Sequence, residues 1–379
     1  MIYFDNSATS NYKPLKVKFE FFRCLTKKYS ANPGRSSHKL ASRVANKILL
    51  CRENFNNYFN NDCIDHIVFT SGCSESLNTA IFGTIKQNGH IIYTAFEHNS
   101  VIRPVQKLFE DNKITYSVIT PKENGKIDLD ELKKLVNEKT YLVIVNHTSN
   151  VIGTNANIKE IGEFCKERKI LFMVDGAQSA GHEKIDMQES NIDILCLAGH
   201  KGLLGPQGVG VLLYKSDVQI TPLKYGGTGV MSELISPPIL PPESLEVGTI
   251  ASPNILALNE GLNYVKKHQE KINKKCEEIS SYFYGRICSI EGIKMFTPQC
   301  AIKNGIFTFI LEGVDTNELA NFLAENNICV RSGLHCAPLV HKHLKTDGGA
   351  IRVSLSFKNK KREVDTFIEV IKKFKNQIA

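Results

Sequence analysis

A single lysine, Lys201, stands between the apolar run Ile194-Leu-Cys-Leu197 and the glycine-rich stretch Gly202-Leu-Leu-Gly-Pro-Gln-Gly-Val-Gly-Val211. A second apolar run, Ile170-Leu-Phe-Met-Val174, ends in Asp175-Gly-Ala-Gln178. Two buried-strand patterns thus deliver an amine and a carboxylate. The amine can form a Schiff base with an aldehyde, and the carboxylate can pair with a protonated ring nitrogen. Those are the two demands that pyridoxal phosphate makes of a protein.

Other segments carry groups that suit the same cofactor. Phe69-Thr-Ser-Gly-Cys-Ser-Glu-Ser-Leu-Asn78 reads as a strand, a small-residue turn and a helix start. Backbone N–H groups there, beside Ser and Thr hydroxyls, make a phosphate cradle, although a plain serine N-cap accounts for such a pattern at many helices. Glu97-His-Asn-Ser100 follows another strand and places His98 where an imidazole can stack over an aromatic ring; a lone histidine is as well a core or surface residue. Asn146-His-Thr-Ser-Asn150 offers an amide for a phenolic oxygen. Near the far end, Cys336 lies in a loop bounded by Gly333 and Pro338, with Arg331, His335 and His341 close in sequence. Cationic neighbours favour a thiolate. Cys24, Cys51, Cys165, Cys196, Cys276 and Cys288 fall within helix or strand patterns and read as small buried hydrophobes. Cys336 with His335, His341 and His343 raises a zinc site, but the spacing matches no closed four-ligand motif, and no metal is expected.

These groups need elements to hold them. Seven short apolar runs read as strands: 66–70, 90–94, 115–119, 141–145, 170–174, 194–197 and 208–214. Helical patterns such as 128–136 and 158–168 fall between them, which argues for an α/β fold with a mostly parallel sheet covered on both faces. Ligands in such sheets bind beyond the carboxyl ends of the strands, where Thr70, Asp175 and Lys201 lie. A Pro- and Gly-rich stretch, 226–253, interrupts the alternation and reads as a loop. A long helical pattern runs from Asn254 to about residue 285, followed by the shorter strands and helices of a second, smaller α/β domain.

The whole chain sets outer bounds. Its 379 residues suffice for two domains, and 42% hydrophobic with 23% charged residues is ordinary for a soluble enzyme. No stretch reads as a secretory signal or a membrane span, so a cytoplasmic protein without membrane partners is expected. Eleven scattered cysteines, an odd number, fit free thiols in a reducing compartment. The formal charge of +8 is spread along the chain. Its densest cluster, Lys358-Asn-Lys-Lys-Arg362, precedes an amphipathic helix and reads as a solvated helix start, not a nucleic-acid patch.

Taken in order, the motifs resemble the cysteine desulfurase family of class V aminotransferases, which are fold-type I pyridoxal-phosphate enzymes. The resemblance runs from Tyr3-Phe-Asp-Asn-Ser-Ala-Thr9 through Asn32-Pro-Gly-Arg-Ser-Ser-His38, the strand-end motifs and Leu245-Glu-Val-Gly-Thr249. It continues through Arg331-Ser-Gly-Leu-His-Cys336 to Gly349-Ala-Ile-Arg-Val-Ser354 and covers essentially the whole chain. The short cysteine segment is similar to the group that includes selenocysteine lyases. The resemblance implies a large cofactor-binding domain over 12–253, and a small domain made of 1–11 with 254–379. It implies Lys201 on the aldehyde, Asp175 on the ring nitrogen, His98 over the ring, and Gln178 and Asn150 on the phenolic side. Cys73 (through its backbone), Ser74 and His200 would bind phosphate, completed by Thr249 of a second subunit in a homodimer. Arg352 would take the substrate carboxylate, whose planar fork suits a guanidinium, with Asn6 and Ala8 lining the substrate end.

Two departures from the family pattern stand out. Ala198 replaces a frequent serine, removing one phosphate hydroxyl, and Cys73-Ser74 stands where many relatives have Ala-Thr. The implied activity is conversion of L-cysteine to L-alanine, with the sulfur passing to Cys336 as a persulfide and on to an acceptor or scaffold protein for iron–sulfur or thio-cofactor assembly. Alternatives are a selenocysteine lyase acting on L-selenocysteine and a catalytically idle persulfide-relay protein.

Overall fold

The computed structural model describes residues 1–34, 38–231, 233, 235–236 and 238–378. Arg35, Ser36 and Ser37 of the motif at 32–38 lie outside the described residues, as do Ser232, Leu234 and Pro237 of the loop at 226–253.

All seven apolar runs are strands of one sheet. Across it they lie in the order Ile67–Thr70, Gly210–Tyr214, Ile194–Ala198, Leu171–Asp175, Thr140–Asn146, Gly89–Thr94, Ile114–Ile119. Gly210–Tyr214 runs antiparallel to both neighbours, and every other pairing is parallel. The reason is visible in Thr140–Asn146, which is buried along its whole length. Val143 and Val145 face one core with Ile48, Phe55 and Ile161, whereas Leu142 and Ile144 face the other with Leu77, Val101 and Val105. A strand buried on both faces reads as a near-continuous apolar run, here Tyr141 to Val145, with polar residues only at its two ends. The helices Lys39–Phe59 and Ile158–Glu167 cover the first face, and Cys73–Gly83 and Asn99–Glu110 the second. With the layers so filled, Thr70, Thr94, Asn146, Asp175 and Ala198 end their strands on one common edge.

A four-stranded antiparallel sheet, in the order Arg331–Gly333, Ala350–Ser354, Ile306–Leu311, Ile293–Met295, follows in the C-terminal third. The N-terminal residues join it: Ile2–Tyr3 pairs parallel with Ile328–Cys329, and Asp5 bridges to Ser354. The long helix spans Ser252–Ile287. Its Ile255, Leu256, Leu258 and Leu262 pack on the large sheet, and its Ile279, Phe283 and Ile287 pack on the small one. One rigid helix therefore ties both cores together.

The stretch at 226–253 has no strand among its described residues, as its composition implies. It is fastened by Glu246, whose carboxylate accepts from Arg52 at 2.9 and 2.6 Å and from the Phe69 amide at 2.7 Å. Both side chains of the pair are buried. Arg52 also donates to the Ile67 carbonyl. Removing one partner of such a pair leaves the other charge buried and uncompensated. Glu246→Ala is therefore expected to lower the unfolding free energy by about 3–5 kcal/mol, read from the midpoint of urea denaturation.

Candidate active site

At the common strand edge lies a cavity of about 270 Å³, lined among others by Cys73, Ser74, His98, Asn150, Asp175, Gln178, His200 and Lys201. Eight residues chosen from sequence thus share one space. Asn6 does not line it but borders a smaller adjoining cavity, which also includes Gln178 and Lys201. Ala8 sits in the same N-terminal turn, its amide donating to the Asp5 carbonyl at 3.1 Å. Thr249 is exposed and borders a different pocket, beside Ser71 and Glu75.

Each group is placed by its local chain. Lys201 follows the strand Ile194–Ala198 through a tight turn at Gly199, where an added Cβ would lie 2.7 Å from the Val209 carbonyl oxygen. Burial lowers the Lys201 pKa, against the opposing pull of Asp175. The amine is thereby moved toward its neutral, nucleophilic form. Asp175 ends its strand only 3% exposed, and accepts from the Ala177 amide at 2.8 Å and from the Cys73 thiol at 3.6 Å. Burial raises its pKa, opposed by the Ala177 amide and the Lys201 charge.

The helix Cys73–Gly83 begins after Gly72 with no side-chain cap on its first amides. Gly72 approaches the strand at Gly210 so closely that a Cβ on Gly210 would lie 2.8 Å from the Cys73 nitrogen. Ser74 Oγ, at 2.7 Å from Ser100 Oγ, stands beside this helix start. His200 Nδ1 is buried without a partner. His98 caps the helix Asn99–Glu110: its Nδ1 accepts from the Ser100 amide at 3.1 Å, so the ring is neutral with its proton on Nε2. Burial and the nearby Lys201, Arg331 and Arg352 charges push its pKa down to about 4.

Arg352, almost wholly buried, donates Nη2 to Asp5 at 2.9 Å and Nη1 to the Asn150 carbonyl at 3.0 Å, leaving Nε unpartnered. Asn150 Nδ2 donates to the His335 carbonyl at 2.7 Å, while its Oδ1 has no partner. Gln178 Nε2 donates to the Ser7 carbonyl at 3.1 Å. The cysteine loop closes over the same region, since Asn99 N donates to the Cys336 carbonyl at 2.7 Å. Arg331 Nη2 donates to Cys336 Sγ at 3.2 Å.

Two expectations require correction. His335 and His341 are not cationic neighbours of Cys336: both are buried and hydrogen-bonded to each other at 3.0 Å. Burial, with the Arg352 charge, lowers the pKa of His335 to about 2, and burial lowers that of His341. Arg331 alone of the three supplies positive charge. Cys288 is exposed, not core, because the long helix ends at Ile287 and leaves it as the C-cap. Cys24, Cys51, Cys165, Cys196 and Cys276 are buried as expected, and all eleven cysteines are free.

Sequence reasoning missed two contacts. Asp5 pairs with Arg352 across 347 residues, and the Cys73 thiol reaches Asp175 across 102. The only signal was the presence of Asp5 in the N-terminal motif.

The buried neutral histidines have a consequence for stability. His98, His147 and His200 have pKa values pushed down to about 4, and His335 to about 2, each chiefly by burial. Unfolded, a histidine titrates near 6.5. Between that value and about 4 the unfolded chain binds more protons than the native one, so stability falls as pH falls through this window. The urea midpoint is expected to drop between pH 7 and pH 5, with the steepest change beginning below about 6.5. A flat profile there would contradict the burial of these rings in neutral form.

The donor set fits pyridoxal phosphate. Uncapped helix amides with Ser74 and the orphaned His200 Nδ1 suit a phosphate. A buried carboxylate suits a ring N–H⁺, and the Lys201 amine stands within the same cavity.

Comparison with known proteins identifies the family. The family model for aminotransferase class-V matches residues 2–367. A probable cysteine desulfurase of Pyrococcus abyssi is 34% identical over 98% of this chain and 93% of its own length. One from Staphylococcus aureus is 30% identical over 99% of this chain and 92% of its own length. The apo structure of the cysteine desulfurase from Thermococcus onnurineus superposes with a TM-score of 0.90 at 30% identity, covering 98% of this chain and 94% of that one. Among the described residues no helix is long and apolar enough to cross a membrane. With a matching fold, a matching motif order and relatives aligned over nearly their full length, the chain belongs to the class V aminotransferase family, in its cysteine desulfurase group.

Proposed function

We propose that the protein is a pyridoxal-phosphate-dependent cysteine desulfurase that moves sulfur from L-cysteine onto Cys336 and releases L-alanine. The observation that carries this reading is the tie between the Cys336 loop and the Lys201 cavity. The Cys336 carbonyl accepts from the Asn99 amide and the His335 carbonyl from Asn150 Nδ2; Asn150 and His98, which precedes Asn99, both line that cavity.

Bound in the cavity, pyridoxal phosphate supplies an aldehyde for the substrate amine and a conjugated ring that takes up an electron pair from the α-carbon. The chain's residues do the rest. The first-turn amides at Cys73, Ser74 Oγ and His200 Nδ1 would hold the phosphate, Asp175 would pair with the ring nitrogen, and His98 would hold the ring. Gln178 and Asn150 serve the phenolic side. Arg352, held by Asp5 and the Asn150 carbonyl, takes the substrate carboxylate, with Asn6 and Ala8 lining the substrate end. The neutral Lys201 amine takes the proton from the α-carbon. Cys336 Sγ attacks the substrate sulfur: an S–S bond forms, and the substrate C–S bond breaks with its electron pair left on carbon, which is later protonated to give alanine.

Thr249, exposed and beside Ser71 and Glu75, completes the phosphate site of a second copy, so the working form is a homodimer. The domains are 12–253, and 1–11 with 254–379; the pairing of Ile2–Tyr3 with Ile328–Cys329 supports the split N-terminal segment, while the long helix crosses the boundary by packing Ile255 to Leu262 on the large core. The persulfide goes to an acceptor protein for iron–sulfur or thio-cofactor assembly, in the cytoplasm.

The test is to incubate cofactor-loaded protein with L-cysteine and quantify products. One equivalent of L-cysteine should give one alanine per active site and leave one sulfane sulfur on Cys336. Further turnover, with alanine and sulfide in equal amounts, needs a thiol to release the persulfide, either excess L-cysteine or an added reductant. Absence of alanine, or sulfur released as sulfide in a single turnover with none carried on Cys336, would overturn the proposal.

A further inference from the structure

The Cys336 loop is held in a conformation that its own residues disfavour. His335 has φ 50° and Cys336 φ 57°, two consecutive non-glycine residues in the left-handed region. Something outside the backbone must fix them. A run of buried side chains does so, and its direction follows from the acceptor at one end. His335 Nε2 lies 3.3 Å from the Arg331 carbonyl, which can only accept, so Nε2 carries the proton. Nδ1 of the neutral ring is then an acceptor, and His341 Nε2, at 3.0 Å, must donate to it. His341 Nδ1 accepts in turn from Thr346 Oγ1 at 2.8 Å.

We propose that Thr346, His341 and His335 act as positioning residues for Cys336: a one-directional chain of hydrogen bonds that closes the loop onto the Arg331 carbonyl and sets the sulfur against the Arg331 guanidinium. The sulfur cannot choose its place alone. Its peptide is held on one side by Asn99, and the His335 carbonyl on the other by Asn150, which also binds Arg352. The chain from Thr346 supplies the remaining constraint, from the helix Pro338–Leu344 that follows the loop. Around the rings lie the charges of Arg331, Arg352 and Asp347. This positioning role rests on Cys336 being the sulfur acceptor.

The experiment uses the cofactor-loaded protein and three variants. His341→Leu removes both links, and Thr346→Val removes only the hydroxyl that fixes the His341 tautomer. His341→Gln keeps an amide able to donate to His335. Three quantities are read: kcat and KM for L-cysteine, the rate of Cys336 alkylation by iodoacetamide followed on its own peptide, and the cofactor absorbance. His341→Leu is expected to lower kcat by about 10–100-fold, the cost of a misplaced reacting group. KM and absorbance should stay near wild type, the Cys336 alkylation rate should change while that of exposed Cys288 does not, and His341→Gln should restore most of kcat. Should His341→Leu fail to fold, Thr346→Val must still show the kcat loss and the Cys336-specific change. Wild-type kcat and wild-type Cys336 alkylation in a folded variant overturn the positioning role. If instead Cys336→Ala itself turns over L-cysteine normally, it is the assignment of Cys336 that fails.

Discussion

Lys201→Ala is expected to reduce L-cysteine turnover by about 10³-fold or more, within the range contributed by a positioned acid–base group. Geometry and protonation both single it out. Lys201 shares its cavity with Asp175 and His98, and burial moves its amine toward the neutral form that can accept a proton. Among the described residues lining the cavity, no other side chain offers that combination. His98 and His200 have pKa values pushed down to about 4, too weak as bases to replace it, and His98 has its Nδ1 committed to the Ser100 amide. Lys201→Arg should fare no better, since a guanidinium stays protonated and cannot take a proton from carbon. Alanine release from cofactor-loaded variants measures the effect. Added small amines should restore part of the activity to Lys201→Ala, because its deletion leaves room in a cavity of about 270 Å³. Turnover within tenfold of wild type would remove Lys201 from the chemistry.

Much of this framework is legible in the chain for a physical reason. A parallel strand buried on both faces cannot hide polar residues, so Leu142 through Val145 announce themselves, and the polar residue ending each such run marks the ligand edge. Lys201 and Asp175 are therefore found from local pattern alone. What pattern misses is partnership across the fold. Nothing near Arg352 in sequence points to Asp5, because the pairing depends on two-residue strands too short to show any period. The charge state of His335 is hidden for a related reason. Proximity to Cys336 in sequence suggested a cation, but the ring turns into the protein against His341, where ionisation is penalised. Cys288 failed at a helix boundary, where periodicity stops being informative.

Cys336→Ala is expected to lower L-cysteine desulfuration by at least about 100-fold, the low end of what removing a positioned reacting group costs, with the cofactor absorbance unchanged. The sulfur is placed by contacts that have no evident structural purpose beyond it. Arg331 directs a charged donor at Sγ from 3.2 Å, which suits an anionic sulfur and its attack on a second sulfur atom. Cys336 is also part of a loop whose left-handed backbone a glycine would adopt more easily, and that cost is maintained around a side chain that is only partly buried. Cys336→Ser separates nucleophilicity from packing: it fills nearly the same volume, yet a hydroxyl does not accept the sulfur, so the serine variant should be as inactive as the alanine one. Truncating Arg331 to alanine should give a smaller loss, because it removes the charge against the sulfur but leaves the nucleophile. L-Selenocysteine discriminates further, since selenide leaves with less help from a thiol. The alanine variant is expected to keep a larger fraction of wild-type rate on that substrate than on L-cysteine. Equal losses on both would mean that Cys336 assists a step common to the two substrates, and unchanged turnover of L-cysteine would place the sulfur acceptor elsewhere.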